Sequence, residues 1–537
     1  MVSARLVGLL CIGLTACPAP DPDPVDTGDP EPQVCSLPEV GAPIPLRRLT
    51  ATQLEHVVAD SLVFAIDYDV SDENLIGFDA NTHSDMDSTT ARTFLFAAEQ
   101  VATQRAPSAM AFEPCATGPD DGACADWLLD TIGTPLFRRP LSADDRAPFH
   151  AVFDAGVAEG GRAEGVRWLL EAMLQSPRFL YQVEFADEDG WLDGYSVASR
   201  LAFSLWGSGP FQVVLPGSEP DVDLLALAEA GQFDTPEGIA EAVEWMMADP
   251  RFDRGMNDFT RQWMKLDTLG DADERPDLLR LPLPSRQALA REPSRFAAHQ
   301  FRTDGTTLDL LTSNITPEEP DLAILYGDDA LGSAGGLTEL DPAQRGGLLT
   351  LPGVQAALSH AGVTSPSRRG AVVMANIICR PPSPPPDDVI PNLPPETEGK
   401  TTRERLELHF SDERCASCHE TMDGIGFTYE GYGPYGESRE LDNGFPVDTT
   451  GSFGLFGQQV EVEDAVELGA VLGDHPLIAE CLARQWTRFT LSISDREDAE
   501  CLVEDLGTLA HDASLKEMMV ALATSDWFRR AAPEVSQ

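Results

Sequence analysis

Two cysteines and a histidine stand close together in Arg414-Cys415-Ala416-Ser417-Cys418-His419-Glu420. At this spacing two thiols can add to the vinyl groups of a porphyrin, and the next imidazole can bind its iron from the proximal side. A disulfide, a redox-active cysteine pair and a partial zinc site are the alternatives. Zinc takes four ligands in paired spacings, and the sequence has no second Cys-x-x-Cys and no His-x-x-x-His. The segment therefore predicts one covalent c-type haem.

The sequence leaves the second axial ligand of that haem open. Met422 follows His419 so closely that both lie on the same side of the macrocycle. The other candidates on the chain are His360, Met374, His409 and His475. We favour His360, in the polar loop Ser359-His360-Ala361-Gly362. A filled sixth position would indicate electron transfer, whereas an open position would indicate small-molecule chemistry.

The N-terminus has the pattern of an export signal. Arg5 precedes an apolar run from Leu6 to Leu14, and Leu14-Thr15-Ala16-Cys17 follows with small residues before a cysteine. We predict a lipoprotein signal peptide over residues 1–16, with Cys17 lipidated and attached to a membrane on its periplasmic or cell-surface face. Cleavage by ordinary signal peptidase, which would release a free protein, is the alternative. A Pro/Asp-rich tether over residues 17–44 comes next.

The composition restricts the partners of the chain. There are 89 acidic and 37 basic residues, for a formal net charge of -52. This charge argues against nucleic acid as a partner, and against binding to an anionic membrane through basic patches. Attachment to a membrane would therefore depend on the lipid anchor. A redox partner protein with a basic surface would be compatible with such a charge.

The remaining cysteines predict disulfides, which fit an oxidising compartment. Cys115 and Cys124 flank a turn-rich loop that a bridge could close. Cys35, Cys379, Cys481 and Cys501 can pair in three ways. We favour Cys481 with Cys501, because these two cysteines lie on successive helix-like segments. Free buried thiols are the alternative for each of them.

The periodicity of the body predicts a mainly α fold, with a cytochrome c-like haem module near the C-terminus. Thr50 with Gln53 forms a capping box before an amphipathic run, and Ser142 starts another helix. Apolar residues at helical spacing predict three further buried faces, namely Val166, Leu169, Leu170, Met173 and Leu174; Ile239, Val243, Met246 and Met247; and Leu515, Met518, Met519 and Leu522.

We divide the body into five segments. The first two are helical domains over residues 45–110 and 111–185, the second of which begins with the loop between Cys115 and Cys124. A central helical domain covers residues 186–335. Residues 340–460 contain a stiff polyproline spacer and the haem motif, and a C-terminal helical domain covers residues 461–533.

A resemblance to a known bacterial architecture supports this organisation. The chain looks like large exported proteins built from successive domains of unknown function, with a planctomycete-type cytochrome-like module. The match extends over about residues 45 to 533 and rests on several collinear motifs, namely LRRLT at 46–50, FRRPL at 137–141, SPRFLY at 176–181, SRLAFSLW at 199–206, Gln262-Trp263, RGGLLT at 345–350, TSPSRRG at 364–370, and CASCH at 415–419 with MDGIGF at 422–427. The family usually has proline where this chain has Gly424, and glycine can form the expected turn as well.

The resemblance implies a secreted, haem-attaching protein but no established reaction. The sequence has no nucleophile elbow, phosphate-binding loop, dinucleotide fingerprint or His-Glu-x-x-His. Our first hypothesis is a lipoprotein with one haem c in an electron-transfer or redox role. The alternative is a surface scaffold or polysaccharide-binding protein in which the haem site is structural or vestigial.

Overall fold

Helices begin where the sequence supplies side-chain caps. The Thr50 hydroxyl accepts a hydrogen bond from the backbone N–H of Gln53 at 3.2 Å, and the Gln53 side chain accepts one from the Thr50 N–H at 3.0 Å. Ser142 and Asp145 form the same reciprocal pair at the start of the helix Ala143–Gly160. Both capping predictions are confirmed. Each cap satisfies backbone donors that the first helical turn leaves without partners.

A computed structural model describes residues 46–82, 86–213, 221–270, 273–383, 400–407, 413–492 and 499–530, with the backbone alone at residues 413–418. The predicted mainly α class is confirmed. The signal peptide, Cys17, Cys35, His409 and the central part of the polyproline spacer lie outside the described residues.

Besides the π-helix Leu129–Gly133, the N-terminal part, up to residue 182, contains seven α-helices and four short strands among the described residues. They are β1 (Arg47–Arg48), α1 (Ala51–Leu62), β2 (Asn74–Leu75), β3 (Phe78–Asp79), α2 (Ser88–Ala109), α3 (Asp121–Leu128), α4 (Thr134–Phe137), α5 (Ala143–Gly160), α6 (Arg162–Leu174), α7 (Pro177–Leu180) and β4 (Tyr181–Gln182). β1 pairs with β4 in antiparallel register, which places Arg47 opposite Gln182.

The central part, from residue 194 to residue 340, begins with a helix that is buried along almost its whole length. Its elements are α8 (Gly194–Trp206), β5 (Gln212–Val213), β6 (Val222–Asp223), α9 (Leu224–Glu229), α10 (Pro236–Ala248), α11 (Arg251–Trp263), α12 (Leu283–Arg302), α13 (Thr307–Thr312), β7 (Ile315–Pro317), α14 (Ala323–Tyr326), β8 (Ala330–Ala334) and β9 (Leu337–Leu340). The last three strands form an antiparallel sheet in the order β7-β9-β8.

The C-terminal part contains the helix that carries the cysteine motif. Its elements are α15 (Pro352–Ala357), α16 (Pro366–Val372), α17 (Thr402–Glu407), α18 (Glu413–Phe427), β10 (Leu441–Asp442), β11 (Phe445–Pro446), β12 (Gly451–Leu455), β13 (Gln458–Val462), α19 (Ala465–Gly473), α20 (Pro476–Leu491), α21 (Glu500–Asp512), α22 (Leu515–Thr524) and α23 (Asp526–Arg529). A π-helix, Val373–Ile377, directly follows α16.

The buried side chains form two hydrophobic cores. One draws its residues from Leu49 to Phe203, and the other from Phe78 and the stretch Leu192 to Phe528. The three predicted apolar faces are buried in these cores, on α6, α10 and α22, which confirms their helical periodicity. The boundaries of our five segments stay predictions. No helix in the described ranges combines the length and apolar character needed to cross a bilayer.

The structure confirms one predicted disulfide and corrects the other. Cys115 bonds to Cys124 and closes the turn-rich loop. Cys481 bonds to Cys379, so the favoured pairing of Cys481 with Cys501 is wrong. Cys501 takes part in a different disulfide. The prediction relied on cysteines that are close in sequence. Instead, α20 packs the face that carries Cys481 against the chain that follows α16, where the Cys481 sulfur atom lies 3.5 Å from the Asn376 carbonyl oxygen.

Candidate haem-binding site

The cysteine motif lies on one continuous helix, α18. Cys415, Cys418 and His419 all fall within Glu413–Phe427. The side chains of the two cysteines are outside the described residues, and that of His419 is 27% exposed. A partly exposed imidazole on the motif helix can reach a ligand at the surface of the protein while its own helix stays anchored.

His419 has a partner one helical turn further on. Its Nδ1 lies 3.0 Å from Oδ2 of Asp423, whose side chain is fully buried. The hydrogen bond to Asp423 raises the pKa of His419, against the effect of burial. A histidine that binds a metal usually donates its other ring N–H to a carboxylate or carbonyl, which fixes the tautomer and the ring orientation. With Nδ1 directed at Asp423, Nε2 is the nitrogen that would bind iron.

The spacing from His419 to Asp423 is a signal that our sequence analysis did not use. Residues four apart on a helix face each other, so the pair could have been predicted if this segment had been read as helical. We instead expected a turn at Asp423-Gly424, and that expectation is wrong because α18 continues to Phe427.

Glycines allow the backbone of α18 to pack closely against its neighbours. A Cβ atom on Gly424 would lie 2.5 Å from the Ser452 carbonyl oxygen of β12. A Cβ on Gly426 would overlap the Pro366 carbonyl of α16, and a Cβ on Gly370 of α16 would overlap the Met422 carbonyl of α18. Glycine is therefore required here for close backbone packing rather than for a turn.

A buried arginine fixes the chain after α18. Arg369 of α16 is fully buried and donates to the carbonyl oxygens of Tyr429 at 2.8 Å, Tyr432 at 3.1 Å and Gly433 at 3.0 Å. It also donates to Ser359 Oγ at 3.0 Å. Glu430, 3.6 Å away, supplies a buried carboxylate. Burial lowers the pKa of Arg369 to about 10, with Glu430 acting in the opposite direction.

His360, the favoured sixth ligand, lies on a tight loop. Its backbone pairs with Val363, and its N–H donates to the Val363 carbonyl at 2.9 Å. Burial lowers the pKa of its imidazole, and Arg368 and Arg275 add to the effect. No hydrogen bond or ion pair between described residues joins His360 to His419. The assignment of His360 stays a prediction.

His475, another candidate, already has a structural role. It is the N-cap of α20, where its Nδ1 accepts a hydrogen bond from the Leu477 N–H at 3.2 Å. Its ring packs against Phe456 with 4.4 Å between the ring centroids. These contacts account for His475 without a metal.

Three family models match the chain in succession. PSD5, a protein of unknown function (DUF1595), matches residues 124–184. PSD4, a protein of unknown function (DUF1592), matches residues 192–327. PSCyt3, a protein of unknown function (DUF1588), matches residues 345–442, a stretch that contains Cys415, Cys418 and His419. The comparisons with curated proteins and with solved structures gave no match. The chain is thus similar, over three consecutive stretches, to three domains of unknown function.

Proposed function

We propose that this chain is an exported, lipid-anchored protein that carries one covalent haem c and transfers electrons. The observation that carries the proposal is the hydrogen bond between His419 and the buried Asp423 on the helix of the Cys-x-x-Cys-His motif. The match to PSCyt3 over the same residues supports it. Disulfides such as Cys379–Cys481 agree with an oxidising compartment.

The residues of α18 would have distinct roles. The S–H groups of Cys415 and Cys418 would each add across one vinyl double bond, so that two thioethers form without an oxidant or a leaving group. His419 would bind iron through Nε2, and Asp423 would hold the imidazole in orientation and increase its basicity. Bound haem would supply one-electron redox chemistry.

We expect Cys418→Ser to abolish stable covalent attachment at the second vinyl group. The wild-type protein, made in a host with haem c maturation machinery, should retain one haem per chain on a denaturing gel and give a pyridine haemochrome spectrum of a bis-thioether haem. Cys418→Ser should shift the haemochrome spectrum to that of a haem with one thioether, and Cys415→Ser/Cys418→Ser should lose the haem stain. Ser417→Ala is the matched control, because it changes the residue between Ala416 and Cys418 and keeps both thiols.

A colourless wild-type protein from such a host would contradict the proposal. The same variant also separates electron transfer from the scaffold alternative. If Cys418→Ser keeps its melting temperature and loses its redox signal in voltammetry, the haem serves electron transfer. If the variant melts or disappears from the membrane fraction, the haem is a structural element of a scaffold.

We expect Cys17→Ala to block lipoprotein processing. The variant should leave the membrane fraction or accumulate as an uncleaved precursor, because several acyl chains on Cys17 would supply the anchor and each buried methylene contributes about 0.8 kcal/mol. Fractionation and gel mobility measure the result. Cys11→Ala is the control, since Cys11 lies inside the predicted signal peptide and should be removed with it. Unchanged membrane retention of Cys17→Ala would show that the anchor lies elsewhere.

A further inference from the structure

A polar cavity lies where the N-terminal part meets α8, α11 and the end of α20. It has a volume of about 40 Å³, and its walls come from β1, α1, β3, β4, α8, α11 and α20, with no described residue of α16 or α18 among them. A cavity of this volume, measured with a water-sized probe, holds about three water molecules or a small polar molecule of a few heavy atoms. Residues of several collinear sequence motifs line this cavity, including LRRLT at 46–50, SRLAFSLW at 199–206 and Gln262.

One wall of the cavity carries a carboxyl group that makes no hydrogen bond to any described residue. Asp258 of α11 is 7% exposed, and Nδ1 of His56 lies 3.7 Å from its Oδ2 atom. The Nδ1 atom is directed at the Gly207 carbonyl oxygen, 3.2 Å away. A carbonyl can only accept, so Nδ1 carries the proton and donates it to Gly207 rather than to Asp258.

The space in front of this carboxyl group depends on a glycine. Gly207 has φ +61°, and a Cβ atom on it would lie 2.5 Å from Oδ2 of Asp258 and 3.3 Å from Nδ1 of His56. Because buried polar groups normally have hydrogen-bond partners, a carboxyl that faces a cavity is a site at which water or a ligand can supply the donor.

The opposite feature, a cation that makes no hydrogen bond to a carboxylate of any described residue, is also present. Arg47 of β1 donates to Ser492 Oγ at 2.6 Å and to Gln182 Oε1 at 3.0 Å, and both of these acceptors are neutral. Glu184, the carboxylate that acts on it electrostatically, is bound by two hydrogen bonds to Arg200. Burial lowers the pKa of Arg47 to about 10, which keeps it charged at neutral pH.

Burial, more than the surrounding charges, reduces the negative charge of Asp258. Burial raises the pKa of Asp258 to about 7. Arg261 and Arg254 act in the opposite direction, whereas Asp79 and Glu55 reinforce the rise. Burial, followed by Arg254, lowers the pKa of His56 to about 4, so this ring is neutral at pH 7. The cavity thus contains a full positive charge at Arg47 and a partly protonated acid at Asp258, which favours an anion.

We propose that this cavity binds a small hydroxycarboxylate. The ligand carboxylate would face the Arg47 guanidinium, and its hydroxyl group would bond with the Asp258 carboxyl. Arginine is suited to this role because its planar fork matches a carboxylate with two parallel hydrogen bonds. The ligand would give Arg47 a carboxylate to hydrogen-bond and would give the Asp258 carboxyl a hydrogen-bond partner.

Calorimetry on the full chain at pH 7 tests the proposal with three probes, namely glycolate, acetate and glycolamide. We expect glycolate to bind, acetate to bind at least fivefold more weakly, and the uncharged glycolamide to give no heat. Arg47→Gln should weaken glycolate binding at least tenfold, and Arg47→Lys should restore part of the affinity. Asp258→Leu should reduce the affinity for glycolate to that for acetate and leave acetate binding unchanged.

Arg251→Gln is the matched control, because Arg251 lies on the same helix α11 but binds Asp249 outside the cavity lining, and it acts on the pKa of neither Asp258 nor His56. It should bind glycolate as the wild type does. The proposal is overturned if the wild-type protein does not distinguish glycolate from glycolamide, or if Arg47→Gln binds glycolate as tightly as the control. Circular dichroism checks that each variant is folded. If a variant does not fold, the binding of the three probes to the wild-type protein still tests the proposal. Neither result depends on the haem assignment.

Discussion

Replacing Arg369 by methionine should lower the free energy of unfolding by about 3–5 kcal/mol. The guanidinium of Arg369 is fully buried, and three backbone carbonyls after α18 and the hydroxyl of Ser359 accept its hydrogen bonds. Methionine fills similar space but supplies no donor, so buried carbonyls lose their partners and Glu430 loses one of its two neighbouring arginines. Urea unfolding followed by far-ultraviolet circular dichroism measures the change.

Arg368→Met is the matched control for this prediction. Arg368 is the preceding residue on the same helix and is only half-buried. We expect its replacement to change the free energy of unfolding by less than about 1 kcal/mol. If the two variants have the same stability, the network around Arg369 does not hold the segment after α18 in place, and the rigidity that we attribute to the motif helix must come from the glycine contacts alone.

Local signals in the sequence predicted much of the helical framework. The capping boxes at Thr50 and Ser142 depend on residues three positions apart, and the buried faces of α6, α10 and α22 depend on spacing within one helix. Such patterns are set by the geometry of a single turn, and a sequence displays them directly.

Features that depend on distant segments could not be predicted in the same way. Gly424 looked like a turn residue, yet it lies inside α18 because β12 approaches its backbone. We predicted that Cys481 pairs with Cys501, which is closer in sequence, whereas its partner Cys379 comes from a segment that tertiary packing brings to α20. The cavity at Asp258 is a further example, since Arg47 reaches it from β1.

The candidate haem site falls between these two cases. The motif Cys415 to His419 is local, and the sequence indicated its chemistry directly. The carboxylate partner of His419 is also local, but it was missed because the helix was expected to end at Asp423. What the sequence could not supply is the buried position of Asp423, which is set by the packing of α18 against α16 and β12.

The double variant Cys379→Ala/Cys481→Ala should lower the free energy of unfolding by about 4–5 kcal/mol. The bridge joins residues with a sequence separation of 102, so it removes much conformational entropy from the unfolded chain. The loop that it closes contains all of α18. We therefore expect loss of the bridge to make the segment that carries Cys415, Cys418 and His419 easier to unfold, and hydrogen exchange of residues 419–430 should become faster than in the wild type.

The double variant Cys115→Ala/Cys124→Ala tests whether loop entropy is the source of this stabilisation. This bridge spans a sequence separation of only 9, for which chain entropy gives about 2.5–3 kcal/mol, and it lies in the other core, away from α18. Urea unfolding should show the smaller loss, with hydrogen exchange at residues 419–430 unchanged. If the short bridge stabilises the protein as much as the long one, loop entropy is not the source of the effect. If exchange in α18 does not respond to the long bridge, the anchoring of the motif helix depends on Arg369 and the glycine contacts rather than on the disulfide that encloses it.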